Sequence, residues 1–175
     1  MYKRQHDKER YEHKYEYCDL LITGSGPSGL ASAYAAAKNG ARVILAEDKP
    51  RFGGSLLTSD VNIGNQTGVE WTEKIIAELK SMPNVTVKNR SQVFGYYDHN
   101  MLVMSERISD HLPKTQKYLP KQRLWYIRAN EVLISSGSIE RPLVFGNNDT
   151  PGVMLSSAAK ELSLIHISEP TRLSA

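Results

Sequence analysis

The chain predicts an α/β fold: a parallel sheet wound with helices, carrying an inserted antiparallel β-meander and truncated before its second half. Three observations lead there. A branched apolar run, Asp19 to Thr23, is followed at once by Gly24-Ser25-Gly26-Pro27-Ser28-Gly29 and then by an Ala-rich stretch free of Gly and Pro, Leu30 to Lys38. A second apolar run, Ala41 to Ala46, ends on Glu47. Three β-type segments come in succession later, Ser91 to Asp98, Met101 to Ile108 and Arg123 to Ala129. Strand, tight turn, helix, strand and acid, in that order, make a Rossmann-like FAD/NAD(P)-binding βαβ unit.

Residues 6–17, HDKERYEHKYEY, are charged and aromatic without a clean period, and read as a linker or edge segment entering a domain that spans 18–161. His6 and His13 read as solvated surface rather than metal ligands. In the turn, Gly24 allows the tight bend, Gly26 has no Cβ to block a pyrophosphate, and Gly29 lets helix and strand pack closely. Ser25 and Ser28 stand where Gly or Ala is commoner, but both are small. Pro27 suits the first helical position. The helix N-terminus then offers free N–H groups and partial positive charge to phosphates. Glu47 lies 18 residues past Gly29, where a carboxylate accepts hydrogen bonds from both ribose hydroxyls and repels a 2′-phosphate, which argues against NADP. Asp48 follows it, and Arg51 then precedes a glycine doublet, Gly53-Gly54; Asp48 and Arg51, with Ser25, Pro27 and Ser28 of the turn, are expected cofactor contacts.

Leu56 to Gly68 is polar and reads as a loop over the cofactor. Residues 69–82 place Trp71, Ile75, Ile76 and Leu79 at helical spacing, and Pro83 ends the helix. Val85 to Val87 is a third parallel strand. The meander occupies about 91–130, with a hairpin turn at Asp98-His99-Asn100 and a long polar linker over 109–122. Val93, in its first strand, joins the expected cofactor contacts. Glu131 to Gly137 reads as a separate buried strand ending in Ser136-Gly137, residues 141–154 as a structured loop, and Ser156 to Glu161 as the start of a helix.

Both ends read as foreign. Residues 162–172, LSLIHISEPTR, back-translate to a sequence resembling a transposon adapter from sequencing libraries. MYKRQ fits the opposite strand of the same stretch. Residues 1–5 and 162–175 are therefore set aside as adapter-derived. Doing so removes Lys3, Arg4, Arg172 and Glu169, and lowers the net charge from +3 to +1. That leaves no basic footprint for nucleic acid. No apolar run approaches the ~20 residues a membrane span needs. The single cysteine, Cys18, excludes an internal disulfide, a CxxC redox pair and a cysteine-based zinc site within the segment, and reads as a small core residue. A cytoplasmic setting is the default.

Three segments together resemble one family: YEYCDLLITGSGPSGLASAYAAAKNGARVILAEDKPRFGGSLL, LPKQRLWYIRANEVLISSGSIERPLVF and GNNDTPGVMLSSAAK. They resemble the α subunits of heterotetrameric sarcosine oxidases and related amine and opine oxidase subunits, over nearly all of 6–161. The glycine motif is generic. The run Ile139-Glu140-Arg141-Pro142, followed by Asn148-Asp149-Thr150-Pro151-Gly152-Val153-Met154, is more particular. The resemblance implies an oxidoreductase acting on the CH–NH bond of amines within a complex with β, γ and δ subunits. It demethylates sarcosine to glycine, makes hydrogen peroxide and passes the one-carbon unit to tetrahydrofolate. It also implies NAD or FAD in this domain, NAD favoured, with FMN at a subunit interface and folate chemistry outside this segment. Gly24, Gly26, Gly29, Glu47, Gly53 and Gly54 carry over as cofactor contacts, with Ser136 and Gly137 behind them. No residue is nominated as catalytic or metal-binding, and the segment alone is expected to be inactive. The alternatives are a non-catalytic nucleotide-binding subunit, or a subunit of a related opine or amine dehydrogenase.

Overall fold

The computed structural model describes residues 9–112 and 118–166, with side chains to 162. The N-terminal adapter-like residues 1–5, the first residues of the expected linker and the adapter-like residues 167–175 lie outside the described residues.

Strand β1 runs Tyr11–Thr23, helix α1 Pro27–Lys38 and strand β2 Val43–Ala46. A single 3-10 turn covers Gly54–Leu57. A small hairpin pairs β3 (Asn62–Ile63) with β4 (Gln66–Thr67). Helix α2 spans Gly68–Ser81 and β5 Val85–Lys88. The meander is β6 (Ser91–Tyr97), β7 (Met101–Arg107) and the first part of β8 (Gln122–Ile134). Helix α3 spans Ser156–His166, so it runs past Glu161, where the sequence reading ended the domain.

The main sheet has the order β5-β2-β1-β8-β7-β6. β5, β2, β1 and β8 are parallel, while β7 and β6 add antiparallel. Successive side chains of a strand point to opposite faces, and both faces of β2 and of residues 20–22 of β1 are apolar, as for a covered parallel sheet. Ile22, Val43 and Leu45 pack with Leu30, Ala33 and Ala37 of α1 and Ile75, Ile76 and Leu79 of α2. Leu21, Ile44 and Ala46 pack with Leu102 and Met104 of β7 and with Trp125, Ile127 and Ala129 of β8. Helices therefore cover one face and the meander the other. Cys18 sits in the second cluster at 1% exposure, and burial pushes its thiol up to about 12, as suits a small core residue.

Two elements differ from the sequence reading. Residues 11–17 are strand rather than linker, because they pair parallel with β8 from Tyr11↔Gln122 to Tyr17↔Arg128. β2 pairs only from Leu20 onward, so this half of β1 has one partner and its residues stay largely exposed. The expected strands 123–129 and 131–137 are one continuous β8. It stops at Ile134, which leaves Ser135 to Gly137 beyond the strand. No Gly or Pro interrupts it. At the junction Asn130 donates to Asp19 Oδ1 at 3.2 Å, and its Oδ1 accepts from the Tyr17 hydroxyl at 2.9 Å.

Helix boundaries follow local chemistry. α1 starts at Pro27, whose missing N–H costs nothing at a first turn. α2 has a full capping box. Thr67 Oγ1 accepts from the Glu70 amide at 3.2 Å, and Glu70 Oε2 accepts from the Thr67 amide at 2.8 Å. No helix among the described residues is long and apolar enough to cross a membrane.

Candidate functional site: a glycine cradle at the carboxyl ends of β1 and β2

Gly24 directly follows β1 and takes φ +98. A Cβ there would stand 2.4 Å from the Ser135 carbonyl oxygen, so the turn lies against the segment leaving β8. Its amide donates to Ala46 O at 2.8 Å, which ties the turn to the end of β2. At Gly29 a Cβ would stand 2.0 Å from the Gly24 carbonyl oxygen. That is the close helix-to-strand packing expected of the third glycine. Gly26 is different: a Cβ would meet nothing within 4 Å. It precedes α1, whose first turn has no side-chain cap. The space in front of Gly26 therefore faces uncapped helix N–H groups and the positive end of the helix dipole.

The doublet comes to the same place. Gly53 and Gly54 both have positive φ, +123 and +53, and a Cβ on Gly54 would lie 3.0 Å from the Gly26 Cα. The Gly53 amide donates to Ser25 O at 3.0 Å and to Ser25 Oγ at 3.2 Å. A side chain at Gly54 would intrude on this seam, whereas one at Gly53 would press on Leu57 and Thr72.

Glu47 is only 6% exposed. It does not face the apolar core. Its Oε2 accepts from the Ser25 amide at 2.9 Å and from the Ser25 hydroxyl, and its Oε1 accepts from the Lys49 amide at 3.0 Å. The carboxylate is thus folded onto the glycine turn, more enclosed than the sequence reading supposed, with Oε1 carrying a single donor among the described residues. Two β5–β6 contacts support its backbone: the Glu47 amide donates to Lys88 O at 2.9 Å, and Glu47 O accepts from the Ser91 amide at 2.7 Å.

The other nominated residues lie on the segments flanking the turn, the doublet and the ends of β6 and β8. Asp48 and Arg51 are exposed on the segment between β2 and the doublet, and Asp48 O accepts from Arg107 Nη2 at 2.8 Å. Val93 lies two residues past Ser91, where the β6–β7 register shifts between Val93 and Gly95. Its partly buried side chain packs on the core. Pro27 and Ser28 open α1, with Ser28 exposed. Ser136 and Gly137 are exposed beyond β8, and the Ser136 amide would lie 3.0 Å from a Cβ on Gly24. A separate cleft of about 550 Å³, lined by Leu57, Asp60, Thr67 and Lys160 among others, contains none of these residues.

Sequence reasoning missed Ser135 beside the turn, and it missed the part played by the side chain of the nominated Ser25. Ser135 donates its amide to Thr23 O at 2.8 Å, and its Oγ is buried without a hydrogen-bond partner. Its only signal was the serine preceding Ser136-Gly137. Ser25 was read for its size alone, whereas its hydroxyl joins Glu47 to Gly53.

A cradle of backbone at Gly26 and Gly54 and an uncapped helix end fit the diphosphate of an adenine dinucleotide. A diphosphate is anionic, needs N–H and O–H donors, and requires close approach to main chain.

Comparison with known proteins agrees with this geometry. Residues 19–82 match the family described as FAD dependent oxidoreductase. The chain is 44% identical over 154 residues to the sarcosine oxidase alpha subunit of Rhizobium meliloti (strain 1021), covering 88% of this chain and 16% of that one. It is 26% identical over 150 residues to an opine oxidase subunit of Agrobacterium tumefaciens (strain Ach5), covering 83% and 29%. The crystal structure of L-proline dehydrogenase from P. horikoshii superposes with a TM-score of 0.68 at 22% identity, over 88% of this chain and 29% of that one, which shows the shared fold. The chain spans 16% of the sarcosine oxidase polypeptide it matches. Over 88% of its length it is similar to sarcosine oxidase alpha subunits, and most of its dinucleotide-binding βαβ unit falls within the residues that match the FAD dependent oxidoreductase family. That family supports a flavin dinucleotide and lends nothing to the expected preference for NAD.

Proposed function

We propose that this chain holds the adenosine diphosphate half of FAD and serves as the dinucleotide-binding part of an amine-oxidising oxidoreductase of the sarcosine oxidase kind. The observation that carries the reading is the meeting of Gly26, Gly54, the N-terminus of α1 and the Glu47 carboxylate at one end of two neighbouring parallel strands. In open α/β sheets, ligands bind outside the carboxyl ends of the strands.

The chain's own residues divide the work. The α1 amides and the backbone at Gly26 and Gly54 hold the diphosphate. Glu47 Oε1 accepts from the ribose hydroxyls, and the Val93 backbone borders the adenine. The bound flavin supplies the electron-accepting chemistry, and the protein supplies position and field. Sarcosine, or a related secondary amine, is the substrate proposed for the assembled complex. Further subunits, FMN and a folate-handling region belong to that assembly, and a cytoplasmic setting to the same proposal. The chain alone is proposed to bind without turnover.

Calorimetric titration of the full chain and of Glu47→Ala with FAD and with NAD tests the reading. Loss of hydrogen bonds to a charged acceptor is worth about 2 kcal/mol, roughly thirtyfold in affinity. FAD is expected to bind more tightly than NAD, and Glu47→Ala to weaken both. Equal affinity of wild type and variant sinks the ribose role. Tighter binding of NAD restores the preference implied by the sequence resemblance.

A further inference from the structure

Ser25 occupies the second place of the glycine turn, and its side chain is fully buried. Its hydroxyl and its own amide both donate to Glu47 Oε2. The same hydroxyl oxygen accepts from the Gly53 amide at 3.2 Å. A hydroxyl has one proton to give and lone pairs to receive with, so the chain of bonds has one direction. Gly53 N–H donates to Ser25 Oγ, and Ser25 O–H donates to Glu47. Three parts of the cradle, distant in sequence, meet at this oxygen. Alanine would satisfy the need for a small residue equally well. Only a hydroxyl makes both bonds.

We propose that Ser25 is a positioning residue that commits Glu47 Oε2 to the turn and so presents Oε1 to the 2′- and 3′-hydroxyls of the adenine-side ribose. The proposal rests on the ribose role of Glu47 given above. Among the described residues, Oε1 keeps only the Lys49 amide, at 3.0 Å, as a donor. A carboxylate oxygen accepts more than one hydrogen bond, so it has capacity left for a ribose hydroxyl. Without the Ser25 hydroxyl, Oε2 still holds the Ser25 amide, so the carboxylate stays nearby but is less fixed in rotation. The loss then falls on recognition of the ribose hydroxyls. Diphosphate binding, which depends on Gly26 and α1, is spared.

The test titrates the full chain, freed of bound nucleotide, with ADP and with 2′,3′-dideoxy-ADP, for wild type, Ser25→Ala and Ser25→Cys. Wild type is expected to favour ADP by roughly tenfold or more. Ser25→Ala should shrink that preference to about twofold while its affinity for the dideoxy analogue changes by less than about twofold. Ser25→Cys, with a weaker donor, should fall between, and it keeps the test standing if the alanine variant does not fold. An unchanged preference in the variants overturns the positioning role alone. So does an equal loss for both nucleotides, which is what a merely structural serine would give. A wild type that does not distinguish the two nucleotides overturns the ribose role of Glu47, and this proposal with it.

Discussion

Two alanine substitutions three residues apart should have opposite consequences. At Gly29 an added Cβ would stand 2.0 Å from the Gly24 carbonyl oxygen, about an ångström inside the 3.0 Å that real Cβ atoms keep. The obstacle is backbone, and that backbone is itself held by the Gly24 amide bond to Ala46 O. The start of α1 must therefore lift from β1, disturbing Leu30 and Ala33, both fully buried. Overpacking of this kind costs about 3 kcal/mol, and alanine returns roughly 1 kcal/mol of helix propensity. Gly29→Ala is expected to lose about 2 kcal/mol, a fall in Tm of roughly 4–8 °C for a chain of this size. At Gly26 the backbone has φ −66, which any residue adopts, and a Cβ meets nothing. Gly26→Ala should melt within about 0.5 kcal/mol of wild type. Its new methyl fills the space assigned to the diphosphate, so ADP affinity should drop at least about tenfold. Thermal melts and calorimetric titrations of both variants read these outcomes. Wild-type melting of Gly29→Ala, or wild-type ADP binding by Gly26→Ala, refutes the reasoning.

Three further outcomes follow from the structure. Glu106 accepts from Trp125 Nε1 at 2.6 Å and Arg123 Nη1 at 3.4 Å, and lies 3.5 Å from Lys88 Nζ, with little exposure at Glu106 or Lys88. Glu106→Ala leaves those donors without their acceptor and should cost about 3 kcal/mol in a urea titration, whereas an unchanged midpoint would show the network idle. The Cys18 thiol, buried and pushed up to about 12, should react with a thiol reagent at pH 8 roughly a hundredfold more slowly in the native chain than in denaturant. Fast native labelling contradicts its place in the core. Hydrogen bonds from the Ser156 hydroxyl and the Ser157 amide at the start of α3 hold the Glu140 carboxyl down to about 2. The folded value lies below the ordinary one, so this contact is intact above about pH 4.5 and lost as pH falls toward 2. A carboxyl-carbon titration of Glu140 with a midpoint near 4.5 would dissolve it.

The βαβ unit was legible because it is local. Turn glycines, an Ala-rich helix and an acid at fixed spacing lie within about 30 residues. Helix α2 was legible from its apolar period, and the meander from successive β-type runs with turns between them. What was missed depends on contacts between distant residues. Tyr11 to Tyr17 have no apolar alternation because their partner, β8, covers one edge and neither face. The unity of β8 was hidden because polar Asn130 looked like a break, whereas its side chain bonds to Asp19 and Tyr17. At the site, the glycines stood out in the sequence because each removes a Cβ, and in the structure a Cβ would strike backbone at Gly24 and Gly29 and meet nothing at Gly26. The enclosure of Glu47 and the part played by Ser25 could not be read in this way, since both arise from bonds across 22 and 28 residues of sequence.

A crystal structure of the full chain with FAD bound tests the central claim most directly. Diphosphate oxygens should lie within about 3 Å of the amides opening α1, between Gly26 and Gly54, with the adenine-side ribose hydroxyls on Glu47 Oε1. Dinucleotide bound away from the carboxyl ends of β1 and β2, or a ribose with no contact to Glu47, would contradict it.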